Sequence, residues 1–165
     1  MEGWRVNTVS VRPLEDVDRL WAGDQIARQW GAPMIISKGK VYYPDQLPGF
    51  VAFQAGERAG LATYNIEDGD CELVSIQSLR DGHGAGSALL SAVKDAARNA
   101  GCKRLWLITT NDNLRALGFY QKRGMNLVVV YRNAMEAARK LKPQIPMIGQ
   151  NGIPLRDEIE LEMTL

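Results

Sequence analysis

The chain has 165 residues, of which 45% are hydrophobic and 24% are charged, and its net charge is +1. These values are typical of one globular domain with a sizeable core, so we expect a single domain over residues 1–165. They exclude an electrostatic footprint for nucleic acid, and no apolar run approaches the roughly 18 residues of a membrane span. The first residues also lack a signal-peptide pattern, so a cytoplasmic location without membrane or nucleic-acid partners is expected.

The first half of the chain predicts a strand, a helix and then a meander of strands. Alternating residues predict a strand over 4–11, and apolar residues at helical spacing predict a helix over about 14–30. Residues 34–48 have short extended pieces within an irregular loop. Turn residues separate the three strands of the meander, which are predicted over 50–55, 59–66 and 71–78.

The second half alternates between helices and strands. A helical apolar stripe runs from Leu89 to Ala100, and Gly101 is a natural end for that helix. The remaining elements are predicted in chain order as a strand over 105–108, a helix over about 113–122, a strand over 127–131, a helix over 134–141, a loop over 143–156 and a strand over 158–163. The order predicts a mixed α/β domain with one sheet and at least one parallel crossover.

The two cysteines, Cys71 and Cys102, are 31 residues apart and match no metal-ligand spacing. We expect both to be free, buried thiols in a reducing compartment, and we expect no metal site. Neither has a histidine nearby in the sequence, so no nucleophile suited to a covalent intermediate stands out.

A glycine-rich loop precedes the helix of the second half. Gly82, Gly84 and Gly86 stand on alternate positions, which removes the Cβ atoms that keep a ligand away from the backbone. The helix that follows has unpaired N–H groups and a partial positive charge at its start. A bare backbone facing such a helix end is a device for binding phosphate.

Two widespread types of phosphate-binding loop match this stretch poorly. A P-loop needs a Lys-Ser or Lys-Thr pair after the glycines, and none follows. A dinucleotide-binding loop needs a third glycine where Ser87 stands, and no strand–helix–strand unit precedes it. A tight connection from strand to helix with no ligand is the remaining alternative.

A second segment, further along the chain, favours ligand binding. Asn113 and Tyr120 are seven residues apart, which places them two turns apart on one face of a predicted helix. Both side chains can therefore address the same ligand.

Together the two segments resemble the GNAT family of acetyl-CoA-dependent N-acetyltransferases, over residues 4 to 131. The family's loop opens with Gln or Arg, then has any two residues, Gly, any residue, and Gly or Ala. Asp81, Gly84 and Gly86 occupy those fixed positions here. The family's later element matches, in order, Asn113, Ala116, Phe119, Tyr120, Lys122 and Gly124.

Asp81 departs from the family pattern, because it puts an acid close to where a diphosphate is expected. If Asp81 faces solvent, little coenzyme affinity is lost, since backbone N–H groups do most of the binding. If it faces inward, coenzyme binding is weakened. Arg80, one residue before Asp81, is a candidate to compensate.

The resemblance implies a mixed, largely antiparallel sheet flanked by helices, with acetyl-CoA as co-substrate. It places the diphosphate on the N–H groups of Gly82, Gly84, Ala85, Gly86 and Ser87, with His83 near the nucleotide. Pantetheine is expected to lie like a short strand beside Val74, Ser75 and Ile76, with the Ile76 N–H polarising the acetyl carbonyl. Asn113 is expected to hydrogen-bond pantetheine.

The resemblance also assigns catalytic roles. Tyr120 is the candidate acid, because a phenol with a pKa near ~10 is protonated at neutral pH and can donate to a thiolate. Glu72, early in a meander strand, is the candidate base, and water is the alternative. The acceptor is expected to be an amine on a small molecule or a peptide, and a homodimer is left open.

Several residues are expected on the acceptor side or at the surface. Glu158, Glu160 and Glu162 share one face of the last strand, and we expect this face to be solvated. If the face lines the cleft instead, its negative charge would favour a cationic amine. Lys38 and Lys40 are expected at the surface, and Trp21 in the core. The remaining candidates for walls of an acceptor pocket are Trp30, Tyr42, Tyr43 and Tyr64.

The sequence thus predicts an N-acetyltransferase that uses a direct ternary-complex transfer. The alternative from another class is a non-catalytic acyl-CoA-binding sensor or interaction module. A dinucleotide binder is the third hypothesis. The segment over 132–156 is expected to shape either the acceptor site or a dimer contact.

Overall fold

The computed structural model describes residues 8–80, 82 and 84–165, which fold around a seven-stranded sheet. In chain order its elements are β1 Val9–Pro13, α1 Arg19–Trp30, β2 Ile35–Ser37, β3 Lys40–Tyr42, β4 Gly49–Gln54, β5 Glu57–Glu67, β6 Asp70–Ser78, α2 Ala85–Asn99, β7 Arg104–Thr110, α3 Leu114–Lys122, β8 Asn126–Tyr131, α4 Ala134–Leu141 and β9 Glu158–Thr164. Strands β2 and β3 form a separate hairpin.

The strand order in the main sheet is β1-β4-β5-β6-β7-β9-β8. Every neighbouring pair is antiparallel except β6 and β7, which are parallel and joined by α2. A parallel pair needs such a crossover, and α2 supplies it. The predicted mixed, largely antiparallel sheet flanked by helices is therefore confirmed.

Strands β6 and β7 pair only over their first residues. Their register runs from Asp70↔Arg104 to Glu72↔Trp106, although β6 continues to Ser78 and β7 to Thr110. A bulge lies just beyond, because Thr63 pairs with Ser75 while Tyr64 pairs with Leu73, which leaves Val74 without an opposite residue. The bulge bends β6, and the sheet opens between the unpaired halves of the two strands.

The two faces of the sheet carry different cores. Helix α2 presents Leu89, Val93 and Ala97 to one face, where they pack with β-strand residues such as Leu105 and Leu161. On the opposite face α1 and β2 pack against β5, and this smaller core consists of Ala22, Ile26, Ile35 and Leu61. Helical spacing of apolar residues explains both contacts.

The structure differs from the predictions mainly before β4. The predicted helix over 14–30 begins with a 3-10 turn at Asp16–Asp18 and becomes α-helical only at Arg19. Buried Asp18 explains the delay, because its carboxylate accepts the Glu15 N–H and ties this turn to Arg12 and Arg58. The short extended pieces expected within 34–48 are β2 and β3, and their pairing as a hairpin was not predicted. Within the described residues, no helix is long and apolar enough to cross a membrane.

Candidate active site

A groove of about 1040 Å³ occupies the opening between β6 and β7. The bulged half of β6 forms one wall, with Val74, Ser75 and Ile76, and the end of β7 that does not pair with β6 forms the other, with Ile108, Thr109 and Thr110. The three β6 residues predicted to lie beside pantetheine therefore line the groove. A strand that has lost its neighbour has free backbone groups for an extended ligand.

The glycine loop and the start of α2 form one end of this groove, through Gly82, Gly84, Gly86 and Ser87. Gly84 is the N-cap of α2 at φ +85°, a conformation that favours glycine. A Cβ on Gly86 would lie 3.2 Å from the Phe119 ring, so the close packing of α3 requires a small residue there. The helix start is thus left bare toward the groove.

Three residues of the predicted loop site need separate description. The side chain of Ala85 is fully buried in the core, so only its backbone is available to a ligand. His83 and Asp81 lie outside the described residues. The expected position of His83 near the nucleotide and the two alternatives for Asp81 therefore stay predictions.

Arg123 brings a positive charge to this end of the groove. Its guanidinium donates to Ser87 Oγ at 3.0 and 2.7 Å and lies 3.6 Å from the centre of the Phe119 ring. Arg80, the residue expected to compensate for Asp81, instead pairs with Glu57 at 2.5 Å and does not line the groove. Sequence reasoning missed Arg123, because only the packing of α3 on α2 brings it to Ser87.

Asn113 and Tyr120 both line the groove from α3. Asn113 is the N-cap of this helix, and its Oδ1 accepts the Ala116 N–H at 3.2 Å, which leaves its amide N–H groups for a ligand. Tyr120 is buried, with its ring edge-on to Phe119 at 5.3 Å. Burial raises the pKa of Tyr120, and no described residue hydrogen-bonds its hydroxyl. The phenol is thus protonated and free to donate.

Glu72 does not line the groove. Its buried carboxylate accepts hydrogen bonds from Ser37 Oγ at 2.5 Å and from the Tyr42 hydroxyl at 2.6 Å. It borders a separate cavity of about 160 Å³, together with Arg104 and Trp106. Burial raises the pKa of Glu72, and the two hydroxyls only partly oppose this shift. The structure therefore does not bring Glu72 and Tyr120 into one cavity.

Glu158, the first residue of β9, does line the groove. It pairs in register with Thr110 at the end of β7, is 3% exposed, and accepts the Lys38 N–H at 3.1 Å. Burial raises the pKa of Glu158, and the neighbouring charge of Glu72 raises it further. A buried carboxylate held by one described N–H retains capacity to accept protons from a ligand.

The expectation of a solvated acidic face on β9 is wrong for Glu158 and Glu160. Glu160 is 4% exposed and accepts hydrogen bonds from Lys38 Nζ and the Tyr131 hydroxyl. Burial opposes its ionisation, but these bonds and one from Arg104 outweigh that effect and lower the pKa of Glu160. The β2–β3 hairpin covers this face, which the alternation of β9 residues could not reveal.

Lys38 was expected at the surface, but its side chain makes several close contacts in the structure. Its ammonium lies 5.1 Å from the ring centres of both Trp106 and Tyr131, beside Glu160. Lys40 agrees with the prediction of a surface residue, since it is about half exposed and pairs with Glu67.

Of the aromatic residues considered for the acceptor pocket, Trp30 lines the groove. Tyr42 borders the smaller cavity instead, and Tyr43 is 48% exposed. Trp21 packs with the α1 core as expected, and Tyr64 stacks on Phe50 beneath the α2 face. Four of the five are thus placed away from the groove.

The segment over 132–156 forms the wall of the groove beyond Glu158. Helix α4 contributes Met135 and Ala138, and the loop after it contributes Lys142. Lys142 is 4% exposed, its Nζ donates to the Met34 carbonyl at 3.0 Å, and burial lowers the pKa of this ammonium. Sequence reasoning missed Lys142, because a lysine at the end of an amphipathic helix usually faces solvent.

Comparison with known proteins agrees with this geometry. The model of the acetyltransferase (GNAT) family matches residues 16–125. The chain belongs to the GNAT family. It is 46% identical over 149 residues to YdhI, an uncharacterized Bacillus subtilis protein, with 89% of this chain and 92% of YdhI covered.

Solved GNAT structures share the fold of this member. A Bacillus subtilis acetyltransferase in complex with CoA superposes with a TM-score of 0.71 at 20% identity, covering 96% of this chain and 99% of that one. A GNAT acetyltransferase from Elizabethkingia anophelis with acetyl-CoA bound gives a TM-score of 0.68 at 22% identity, covering 95% and 98%. These similarities establish the fold.

Proposed function

We propose that this GNAT protein transfers an acetyl group from acetyl-CoA to a primary amine, directly and within a ternary complex. One observation carries the proposal: the groove between β6 and β7 joins a bare helix start at one end to the hydroxyl of Tyr120, which no described residue hydrogen-bonds, and to the carboxylate of Glu158. GNAT relatives crystallised with CoA or acetyl-CoA support the choice of co-substrate.

The residues of the groove fit such a co-substrate. Backbone N–H groups of the Gly84–Ser87 stretch, reinforced by Arg123, would hold the diphosphate at the positive end of α2. The bulged half of β6 would hold pantetheine by strand-like hydrogen bonds, with Asn113 as an additional donor. Acetyl-CoA, when bound, supplies the thioester carbonyl that an amine can attack.

Tyr120 and Glu158 would manage the protons of the transfer. Glu158 takes a proton from the acceptor ammonium, which frees the nitrogen lone pair for attack. Tyr120 donates its proton to the sulfur as the carbon–sulfur bond breaks and the carbon–nitrogen bond forms. The proton lost by the new amide nitrogen restores Tyr120, so that the overall reaction releases one proton.

Glu72, the base predicted from the sequence, takes a different role in this proposal. Its carboxylate is already engaged by Ser37 and Tyr42, and it acts on Glu158 through its charge. We place it as a positioning residue. The assignment of Glu72 as base stays a prediction, which the pH dependence of activity distinguishes from the role of Glu158.

A thiol intermediate is disfavoured by the surroundings of the cysteines. Cys71 is fully buried, and burial raises the pKa of its thiol to about 12. Cys102 is also buried, and neither cysteine lines the groove. A thiolate nucleophile must be exposed to its substrate, so direct transfer is the simpler chemistry.

Two measurements test this function. Thermal melting with acetyl-CoA, CoA and NAD should show stabilisation by the two coenzyme A compounds and none by NAD. Release of free thiol from acetyl-CoA should then depend on an added primary amine. Stabilisation by NAD alone would restore the dinucleotide hypothesis, and binding of acetyl-CoA without turnover of any amine would favour a non-catalytic sensor.

A further inference from the structure

Lys142 is a buried cation whose charge no carboxylate among the described residues balances. Its one hydrogen-bond partner is the Met34 carbonyl, and within residues 8–80, 82 and 84–165 no carboxylate forms an ion pair with it. An ammonium has three donors, and removing it from water is costly unless a charge or further acceptors compensate. Lys142 therefore has spare donors beside the groove that it lines.

The surroundings of Lys142 make an anionic ligand favourable. Apolar side chains of Ile36, Met135 and Ala138 line the same part of the groove. Charge interactions are stronger in such a medium than in water. This wall belongs to β2 and α4, whereas the diphosphate position belongs to α2 and α3, so Lys142 faces the acceptor side.

Glu158 supplies the opposite charge to the same groove. It is buried, retains accepting capacity beyond the Lys38 N–H, and lies beside Thr110 where β6 and β7 separate. An ammonium ligand would complete its hydrogen bonds. One wall thus offers an unpaired cation and the neighbouring wall offers an anion.

The separation of the two groups is set by β2. Lys142 binds the carbonyl of Met34, just before β2, and Glu158 binds the N–H of Lys38, just after it. Met34 and Lys38 are four residues apart, and four extended residues span at most roughly 13 Å, so the ammonium and the carboxylate lie within reach of one small ligand.

We infer that the acceptor is a small amino acid-like compound, with its amine at Glu158 and its carboxylate at Lys142. This inference rests on the proposed acetyl transfer and names the substrate class of that same site. An acceptor with an amine alone would leave Lys142 unpaired, and one with a bulky cationic chain would bring a like charge toward it.

Acceptor specificity tests the inference through thiol release from acetyl-CoA. A first series contains glycine, β-alanine, 4-aminobutyrate and 6-aminohexanoate, each with the alkylamine of the same length. A second series contains the common amino acids, each with its carboxamide. The wild-type chain should prefer the carboxylate member of the best pair by at least tenfold in kcat/KM, with an optimum among the shorter compounds.

The variant Lys142→Met keeps an unbranched side chain, one atom shorter, and removes its charge. It should raise KM for the preferred carboxylate acceptor about tenfold or more and change KM for the paired amine or amide much less. Lys142→Arg should restore part of the preference. Because a buried, unbalanced charge is removed, the melting temperature of Lys142→Met should stay near that of the wild type, whereas a purely structural lysine would lower it.

Three results would overturn the inference. The first is that the wild type uses the paired amines and amino acids equally well. The second is that Lys142→Met loses kcat/KM equally for both members of a pair. The third is that the wild type acetylates no carboxylate-bearing acceptor although acetyl-CoA stabilises the protein. Absence of acetyl-CoA binding would instead refute the proposed function, so the two failures are distinguishable.

Discussion

The Tyr120 hydroxyl is the feature of the groove that is most specific to acid catalysis. Burial keeps it protonated, and no described residue competes for its proton. Tyr120→Phe should therefore lower kcat by about 100-fold, the lower range for loss of a general acid. Isothermal titration should show acetyl-CoA affinity within about threefold of the wild type. Unchanged kcat, with chemistry shown to be rate-limiting, would remove Tyr120 from the mechanism.

A pair of glutamine variants separates the two buried carboxylates. Glu158→Gln should abolish most acceptor-dependent turnover without lowering the melting temperature, because the ionised form of Glu158 is disfavoured by burial. Glu72→Gln should retain activity. Activity of the wild type should fall as pH drops through the raised pKa of Glu158, and removal of the Glu72 charge should move that acidic limb to lower pH.

The opposite result identifies the other base. Loss of turnover in Glu72→Gln, with full activity in Glu158→Gln, would return the role to Glu72 as the sequence predicted. The comparison requires kcat/KM profiles for both variants at saturating acetyl-CoA.

At the scale of elements, the contact between the start of α2 and the end of α3 concentrates positive charge. Arg123 joins the two through Ser87 Oγ and the Phe119 ring. Arg123→Gln should weaken CoA binding about tenfold and reduce its dependence on salt, since one cation near the diphosphate is lost. Titration calorimetry at two salt concentrations measures both effects.

Arg80→Gln is the matched control, because Arg80 pairs with Glu57 away from the groove. It should leave CoA affinity unchanged. A larger loss in Arg80→Gln than in Arg123→Gln would assign the cation of the site to the residue that the sequence favoured.

At the scale of the whole molecule, Asp18 fastens the first helix to the sheet. Its fully buried carboxylate accepts hydrogen bonds from Arg12 in β1 at 2.6 Å and from Arg58 in β5 at 2.8 Å. Asp18→Asn should lower the free energy of unfolding by about 2 kcal/mol, since hydrogen bonds to a charged group are lost. Urea denaturation at neutral pH measures this change.

The same residue gives a pH dependence of stability. The hydrogen bond from Arg12, with help from Glu15 N–H and Arg58, lowers the pKa of Asp18 below its value in the unfolded chain. Its contribution is therefore present above the unfolded pKa of about 4 and is lost as pH falls below it. The difference between wild type and Asp18→Asn should shrink in that acidic range; a constant difference would contradict the assignment.

The homodimer left open by the sequence stays a prediction, and the edge strand β8 is the place to test it. Leu127, Val128, Val129 and Val130 are all between 39 and 55% exposed, on a strand that ends the sheet and carries no charge. Antiparallel pairing with β8 of a second copy would use this edge. Sedimentation should show a dimer that Val130→Lys dissociates and that Val17→Lys, at another exposed valine, leaves intact. A monomeric wild type would refute it.

The sequence by itself determined the meander of strands, the presence of a parallel crossover, the glycine loop and the Asn113–Tyr120 helix. Each of these depends on residues close together in the chain, where periodicity and spacing dictate the local structure. The short extended pieces within 34–48 were predicted, but their pairing as a hairpin over 35–42 was not, because strands of three residues are too short for a periodic signal that would define a partner.

Only the tertiary structure decided which charged side chains line the site. Lys38 reaches Glu158 across 120 residues and Lys142 reaches Met34 across 108. Whether a charged side chain is solvated or buried depends on which distant element covers it, and the alternation of β9 or the amphipathic pattern of α4 contains no information about that cover. The glycine loop and Tyr120 therefore followed from local pattern, whereas Glu158, Lys142 and Arg123 emerged only when the chain was folded.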